Sequence, residues 1–72
     1  MITEQIGIRV KKYRLEVGLS QEKLALKAEI DRTYLAGVES GKRNLSIKNL
    51  EKIVNALDMT FQSFFEGIWC WL

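Results

Sequence analysis

Residues 20–41 read SQEKLALKAEIDRTYLAGVESG, and this stretch decides the fold. It contains two residues of the types that cap helix N-termini, Ser20 and Asp31, and each precedes a run with apolar side chains at helical spacing. Only Glu29 and Ile30 lie between the first predicted helix and Asp31, the cap of the second. Because so short a link forces the helices to cross steeply, the stretch predicts a helix-turn-helix unit whose second helix faces outward.

Three more helices are predicted around this unit, since the chain has no proline and no run of alternating β-branched residues. Gly18 is placed to end the first helix, Ser46 and Thr60 are placed to cap the last two, and Gly67 is placed to end the last. The sequence therefore predicts an all-α fold, a compact bundle of five short helices in a single domain, residues 1–72. The predicted helices span residues 3–17, 21–28, 32–40, 47–57 and 61–66.

Apolar residues recur on one side of each predicted helix and are expected to form the core. The small Ala25 is expected where the two central helices meet, and Ile30 is expected to fill the angle between them. Three basic residues of the first helix, Arg9, Lys11 and Lys12, are predicted to face solvent. The predicted inward residues are Ile6, Val10, Tyr13, Val17, Leu24, Ala25, Ala28, Leu35, Val38, Ile47, Leu50, Ile53, Val54 and Leu57.

The composition excludes several classes of function. The 72 residues include one cysteine, Cys70, and no histidine, so an internal disulfide and an ordinary zinc site are both excluded. No acid–base or nucleophilic set can be assembled, so neither an enzyme nor a cofactor is expected. No apolar run reaches the ~18 residues of a membrane span, and no signal segment follows Met1, so a cytoplasmic protein without a membrane partner is expected. The net charge of +2 permits nucleic-acid binding without requiring it.

The side of the third helix opposite its core residues carries small side chains. A solvated helix face normally carries long charged residues, and a glycine within a helix costs about 1 kcal/mol. Small residues allow a helix backbone to lie deep in the major groove of DNA, and the planar fork of Arg32 in the first turn matches the acceptors of guanine. The predicted base-reading residues are Arg32, Thr33, Ala36 and Gly37.

Three motifs follow one another along the chain: S-Q-E-x-L-A at residues 20–25, Ile30 after the turn, and V-E-S-G at residues 38–41. In that order they resemble the lambda-repressor-like helix-turn-helix (Xre) family, and the resemblance covers residues 5–66. Within this family, the stretch DRTYLAGVESGKRNLS at residues 31–46 is most similar to the controller proteins of restriction–modification systems. The resemblance implies a lambda-repressor-like fold and binding to double-stranded DNA.

The resemblance also has consequences for single residues. This chain differs from the family pattern at Glu29, where the family has glycine at a backbone position that tends towards positive φ. A residue with a side chain at such a position costs about 1 kcal/mol. The resemblance implies that Gln21 contacts a phosphate beside the free N–H groups of a helix start. It implies a structural ion pair between Arg14 and Glu39. The predicted DNA-backbone residues are Ser20, Gln21, Tyr34, Ser40, Lys42, Arg43 and Asn44; the alternative for such polar residues is simple solvation.

The last segment is too apolar for the surface of a monomer, so a homodimer is predicted; the alternative is that part of the segment covers the core. The predicted function is sequence-specific transcription regulation by a dimer on a partly palindromic operator, with no small-molecule effector. The alternative function is a protein-interaction module, antitoxin-like or adaptor-like, on the same fold. The predicted dimer residues are Met59, Phe61, Phe64, Phe65 and Trp69.

Overall fold

The computed structural model describes residues 2–66, and its helices follow the predicted order. They are α1 (Ile2–Glu16), α2 (Gln21–Ala28), α3 (Arg32–Glu39), α4 (Ile47–Ala56) and α5 (Phe61–Phe65). Residues 2–66 contain no strand, and the all-α prediction is confirmed. No helix in this part of the chain is long and apolar enough to cross a membrane. Gly67, which was predicted to end the last helix, lies outside the described residues.

The helices from α2 to α5 begin at the predicted capping residues. At each one, the side-chain oxygen accepts a hydrogen bond from the backbone N–H three residues later. This bond satisfies one of the N–H groups that a helix start leaves without a partner, and it contributes about 1 kcal/mol. At Thr60 the bonding is reciprocal, because the Ser63 hydroxyl accepts from the Thr60 N–H at 3.2 Å. The confirmed N-caps are Ser20, Asp31, Ser46 and Thr60.

The helices from α1 to α4 all end in a Schellman motif. In each, one residue adopts positive φ, and its N–H and the next N–H bond back to carbonyl oxygens of the last helical turn. Gly18 and Gly41, both with φ of 77°, hold this position after α1 and α3, as predicted for Gly18. Glu29 (φ 58°) and Asp58 (φ 57°) hold it after α2 and α4. The expected left-handed conformation of Glu29 is therefore confirmed.

All five helices contribute to the core, and α5 does so through Phe64. α1 packs on α3, α2 packs on α3 and α4, and α5 packs on α4. Ile6, Tyr13 and Ile30 are partly buried against this core, as their predicted positions require. The buried apolar side chains are Val10, Leu24, Ala25, Ala28, Leu35, Val38, Leu50, Ile53, Val54, Ala56, Leu57 and Phe64.

The prediction was wrong for two core residues, because Val17 is 53% exposed and Ile47 is 75% exposed. Val17 follows the last residue of α1, and the turn there brings Leu19 against the core instead. Ile47 is the first residue of α4. Because the Cα–Cβ bonds of a helix tilt towards its N-terminus, the Ile47 side chain projects past the end of the helix. In both cases the predicted inward side of the helix was continued one turn too far, past the end of α1 and to the first residue of α4.

The position of α3 depends on a close approach between α1 and the end of α3. A Cβ atom at Gly7 would overlap the carbonyl oxygens of Val38 and Glu39, so only glycine permits this separation. On the same helix α3, Leu35 and Val38 are buried in the core. The core and α1 thus hold one side of α3 and leave its other side outward.

Candidate nucleic-acid interface

The outward side of α3 carries the predicted base-reading residues. Arg32 and Thr33 are exposed in the first turn, and Ala36 is half-buried one turn later. The Asp31 carboxylate accepts from the Tyr34 N–H at 3.2 Å and so holds the first turn in place. The result is a guanidinium at the start of α3 with small side chains behind it. Hydrogen-bond donors beside small side chains are a combination that fits the major groove of DNA.

Gly37 has a structural role that differs from its predicted one. A Cβ atom at Gly37 would overlap the side chain of Arg43, which lies across it. The backbone N–H groups of Lys42 and Arg43 both donate to the Gly37 carbonyl, at 3.0 and 3.2 Å. Gly37 therefore makes room for the loop that follows α3. The Arg43 side chain, and not bare helix backbone, occupies this part of the outward side.

Tyr34 contacts the same loop. Its hydroxyl donates to the Asn44 carbonyl at 3.2 Å. The Arg43 guanidinium carbon lies 5.9 Å from the centre of the Tyr34 ring, within the range of a cation–π interaction. Lys42, Arg43 and Asn44 are all exposed. The loop is thus positioned by its own contacts, so less ordering is needed when a partner binds.

Arg14 and Glu39 form the ion pair that the resemblance implied. Arg14 Nε donates to Glu39 Oε2 at 2.8 Å and Arg14 Nη2 donates to Glu39 Oε1 at 3.1 Å, which is a bidentate pair. Arg14 Nη1 also donates to the Leu19 carbonyl at 2.8 Å. The two side chains are only 8% and 4% exposed. The pair connects α1 to the last residue of α3 and so helps to fix the direction in which α3 faces.

Gln21 extends this ion pair to the start of α2. Its Nε2 donates to Glu39 Oε1 at 3.1 Å. The neighbouring Ser20 is exposed, and its hydroxyl oxygen accepts from the Lys23 N–H at 3.1 Å. An amide nitrogen carries two hydrogens, so the Gln21 amide has a second N–H available while Glu39 orients the first. Ser40, at the end of α3, is exposed, and its hydroxyl donates to the Gly37 carbonyl at 3.0 Å.

Three apolar residues, Met59, Phe61 and Phe65, form a surface at α5 that we call the α5 surface. The rings of Phe61 and Phe65 stack with centroids 6.4 Å apart and 10° between their planes. Phe61 is 38% exposed, and the other two residues are half-buried. The structure contradicts the inclusion of Phe64 in this surface, because Phe64 is fully buried against the Tyr13 ring, 5.8 Å away. Trp69 lies outside the described residues.

The sequence reasoning missed two residues of α1 that connect elements at these surfaces. Gly7 sets the distance to α3, and the available signal was a glycine inside a helix two turns before Arg14, on the same side. Arg9 was predicted to face solvent, yet it is half-buried and donates to the Phe64 carbonyl. Only its spacing of four residues from Tyr13 could have indicated an inward contact.

The chain belongs to the helix-turn-helix family, whose model matches residues 10–64. It is 45% identical over 65 residues to Control protein C.MunI of Mycoplasma sp, covering 89% of this chain and 88% of that protein. The structure of C.Esp1396I bound to a 19 base pair DNA duplex is similar to this chain, with 41% sequence identity and a TM-score of 0.91. The match covers 97% of this chain and 93% of the C.Esp1396I chain. The structure of C.Esp1396I bound to a 25 base pair operator site matches 97% of this chain and 92% of its own, with 41% identity and a TM-score of 0.89.

Proposed function

We propose that this protein is a sequence-specific regulator of transcription that binds double-stranded DNA as a homodimer and serves as a restriction–modification controller. The observation that carries the proposal is the similarity in fold, at 41% identity, to C.Esp1396I on a 25 base pair operator. The similarity to the control protein C.MunI supports the narrower assignment. The proposed place of action is the cytoplasm, in contact with DNA, and the proposal contains no catalytic step.

In the proposed complex, α3 enters the major groove with its N-terminal end foremost. Arg32 donates to the O6 and N7 acceptors of a guanine, and the methyl groups of Thr33 and Ala36 meet thymine methyl groups. Polar residues at the rim of this surface contact phosphates, which set the position of α3 without reading sequence. The proposed phosphate-contacting residues are Ser20, Gln21, Tyr34, Ser40, Lys42, Arg43 and Asn44.

The proposed dimer joins two copies of the chain through their α5 surfaces. One copy measures 32 × 23 × 21 Å, so two adjacent copies can carry their α3 helices about 34–36 Å apart, one turn of B-DNA. A twofold pair of α3 helices then reads a partly palindromic operator. Regulation follows from occupancy, because the bound dimer blocks or recruits polymerase by its position.

The experiment is to select bound duplexes from a random pool and to measure variants on the selected operator over a range of salt concentrations. Arg32→Ala should lose affinity and relax the preference at one base position per half-site, since a bidentate guanine contact provides about 1–3 kcal/mol of discrimination. Lys42→Ala should weaken binding to all sequences equally. It should also lower the salt slope by about 2 for the dimer.

Lys11→Ala is the matched control, because Lys11 is exposed on α1 and outside the proposed contacts. It should leave the base preference unchanged. If Arg32→Ala loses affinity equally on every single-base variant of the operator, Arg32 is a phosphate contact and the assignment is wrong. If the wild-type protein shows neither an operator nor a salt-dependent affinity for duplex DNA, the DNA-binding proposal fails and a protein-interaction module is favoured.

A further inference from the structure

Arg9 connects α1 to α5, two elements that lie far apart in sequence. Its Nη1 donates to the Phe64 carbonyl oxygen at 3.2 Å and to the Tyr13 hydroxyl at 3.2 Å. Its side chain is half-buried. We propose that Arg9 is a positioning residue that fixes the orientation of α5 and thereby presents the α5 surface to a second copy of the chain. This inference rests on the homodimer of the proposed function.

The helix α5 is too short to hold an orientation by itself. It has five residues, and isolated helices below about 12 residues are marginal in water. The Phe64 carbonyl lies in its last turn, where carbonyl oxygens have no N–H partner within the helix. The guanidinium of Arg9 supplies such a donor, and its positive charge is favourable at a helix C-terminus. The bond therefore both satisfies and fixes the end of α5.

The Phe64 side chain is the main anchor of α5 in the core. The ring is fully buried, 5.8 Å from the Tyr13 ring and 5.2 Å from the Phe65 ring, edge to face. Phe64 is the one fully buried side chain of α5, and the half-buried Met59 and Phe65 pack against the core less completely. The Arg9 bond adds a backbone contact at Phe64 and so restrains the rotation of α5. Phe61 and Phe65 then keep the exposure that a partner copy requires.

The orientation of α5 also matters for the outward side of α3, because α1 contacts both helices. The same helix that carries Arg9 approaches α3 at Gly7 and pairs with it at Arg14. The orientation of α5 relative to α1 therefore sets the distance between the two α3 helices of a dimer. Arg9 should affect dimer assembly and binding to two half-sites, while the binding of one copy to one half-site should not depend on it.

The test compares sedimentation equilibrium and DNA binding for the wild type, Arg9→Ala, Arg9→Lys, Tyr13→Phe and Lys11→Ala. Arg9→Ala should raise the dimer dissociation constant about tenfold, the effect of losing a charge-assisted hydrogen bond. Arg9→Lys keeps the charge and one donor, so it should restore part of the loss. Tyr13→Phe removes only the hydroxyl and should have a smaller effect. Lys11→Ala removes the same charge from the same helix at an exposed position and should match the wild type.

The DNA arm uses the selected operator and a duplex cut to a single half-site. Arg9→Ala should weaken binding to the full operator and leave half-site binding unchanged. Equal losses on both duplexes, or an Arg9→Ala dimer as tight as that of Lys11→Ala, would overturn the role of Arg9 and leave the proposed function standing. A wild-type protein that stays monomeric at about 100 µM, well above a micromolar dissociation constant, would overturn the homodimer itself and this inference with it.

Discussion

Two residues with side chains, Glu29 and Asp58, occupy the left-handed positions that end α2 and α4. Glycine takes this conformation without steric cost, whereas a Cβ atom there approaches the neighbouring carbonyl. Glycine occupies the equivalent positions after α1 and α3. The same backbone motif therefore occurs with glycine and with other residues in one helical bundle, which allows the strain to be measured.

Glu29→Gly should raise the free energy of unfolding by about 1 kcal/mol, because it removes the strain of a non-glycine residue at positive φ. Thermal and denaturant unfolding measure this change. Glu29→Gln is the control, since it removes the charge at the end of α2 and keeps the Cβ atom. Gly18→Ala should cost about 1 kcal/mol, because its site is open and only φ opposes the substitution. An unchanged or lowered stability in Glu29→Gly would show that the left-handed position is not strained.

Removing one member of the Arg14–Glu39 pair should leave the other charge buried and without its partner, since each side chain is less than a tenth exposed. Arg14→Ala and Glu39→Ala should each lower the free energy of unfolding by about 3 kcal/mol. The double variant should lose less than the sum, because no charge is then stranded. A double-mutant cycle by denaturant unfolding measures the difference, and strictly additive losses would show that the two residues do not interact.

At the scale of the helices, two glycines inside α1 and α3 make room for different kinds of neighbour. Gly7 faces backbone carbonyl oxygens of α3, and these cannot move without shifting the whole helix. Gly37 faces the side chain of Arg43, which can rotate away. The same substitution at the two sites should therefore have different effects on packing.

Gly7→Ala should lower the free energy of unfolding by about 2 kcal/mol, since it forces α1 away from α3 in a packed interface. Gly37→Ala should lie within about 1 kcal/mol of the wild type, because the helical preference of alanine offsets the displacement of Arg43. The second variant should still weaken DNA binding, as Arg43 leaves the Tyr34 ring. Denaturant unfolding and affinity measurements on both variants check this, and equal stability losses would contradict it.

At the scale of the whole molecule, the outward side of α3 and the α5 surface are separate parts of one helical bundle. The surface aromatic residues Phe61 and Phe65 are accessible to a partner, whereas Phe64 belongs to the core. Substitutions in this short helix should therefore divide into two classes, those that change assembly and those that change folding.

Replacing both Phe61 and Phe65 by serine should convert the proposed dimer to a monomer that stays folded, because Phe64 remains in the core. The loss of the Phe65 ring beside Phe64 should lower the stability by less than the loss of Phe64 itself. Phe64→Ala should instead cost about 3–5 kcal/mol of stability, as expected for a buried phenylalanine. Sedimentation equilibrium and circular dichroism separate the two outcomes. A double serine variant that dimerises like the wild type would move the interface away from the α5 surface.

Local interactions account for the features of the fold that the sequence alone predicted. The caps at Ser20, Asp31, Ser46 and Thr60 bond to backbone N–H groups three residues away, and the inner sides of the helices repeat every turn. Such relations need no knowledge of the fold. They were sufficient to predict the five helices and the outward side of α3 that carries Arg32 and Thr33.

Only the tertiary structure decided the contacts between elements. Gln21 reaches Glu39 across 18 residues and Arg9 reaches Phe64 across 55. The Arg14–Glu39 pair, across 25 residues, was expected from the family resemblance and from no local pattern of the sequence. The burial of Phe64 likewise depends on where the packed core ends, and the periodicity of a five-residue helix cannot show this. The partner of such a side chain does not lie at a fixed number of residues along the chain. It is therefore decided only when the helices pack together.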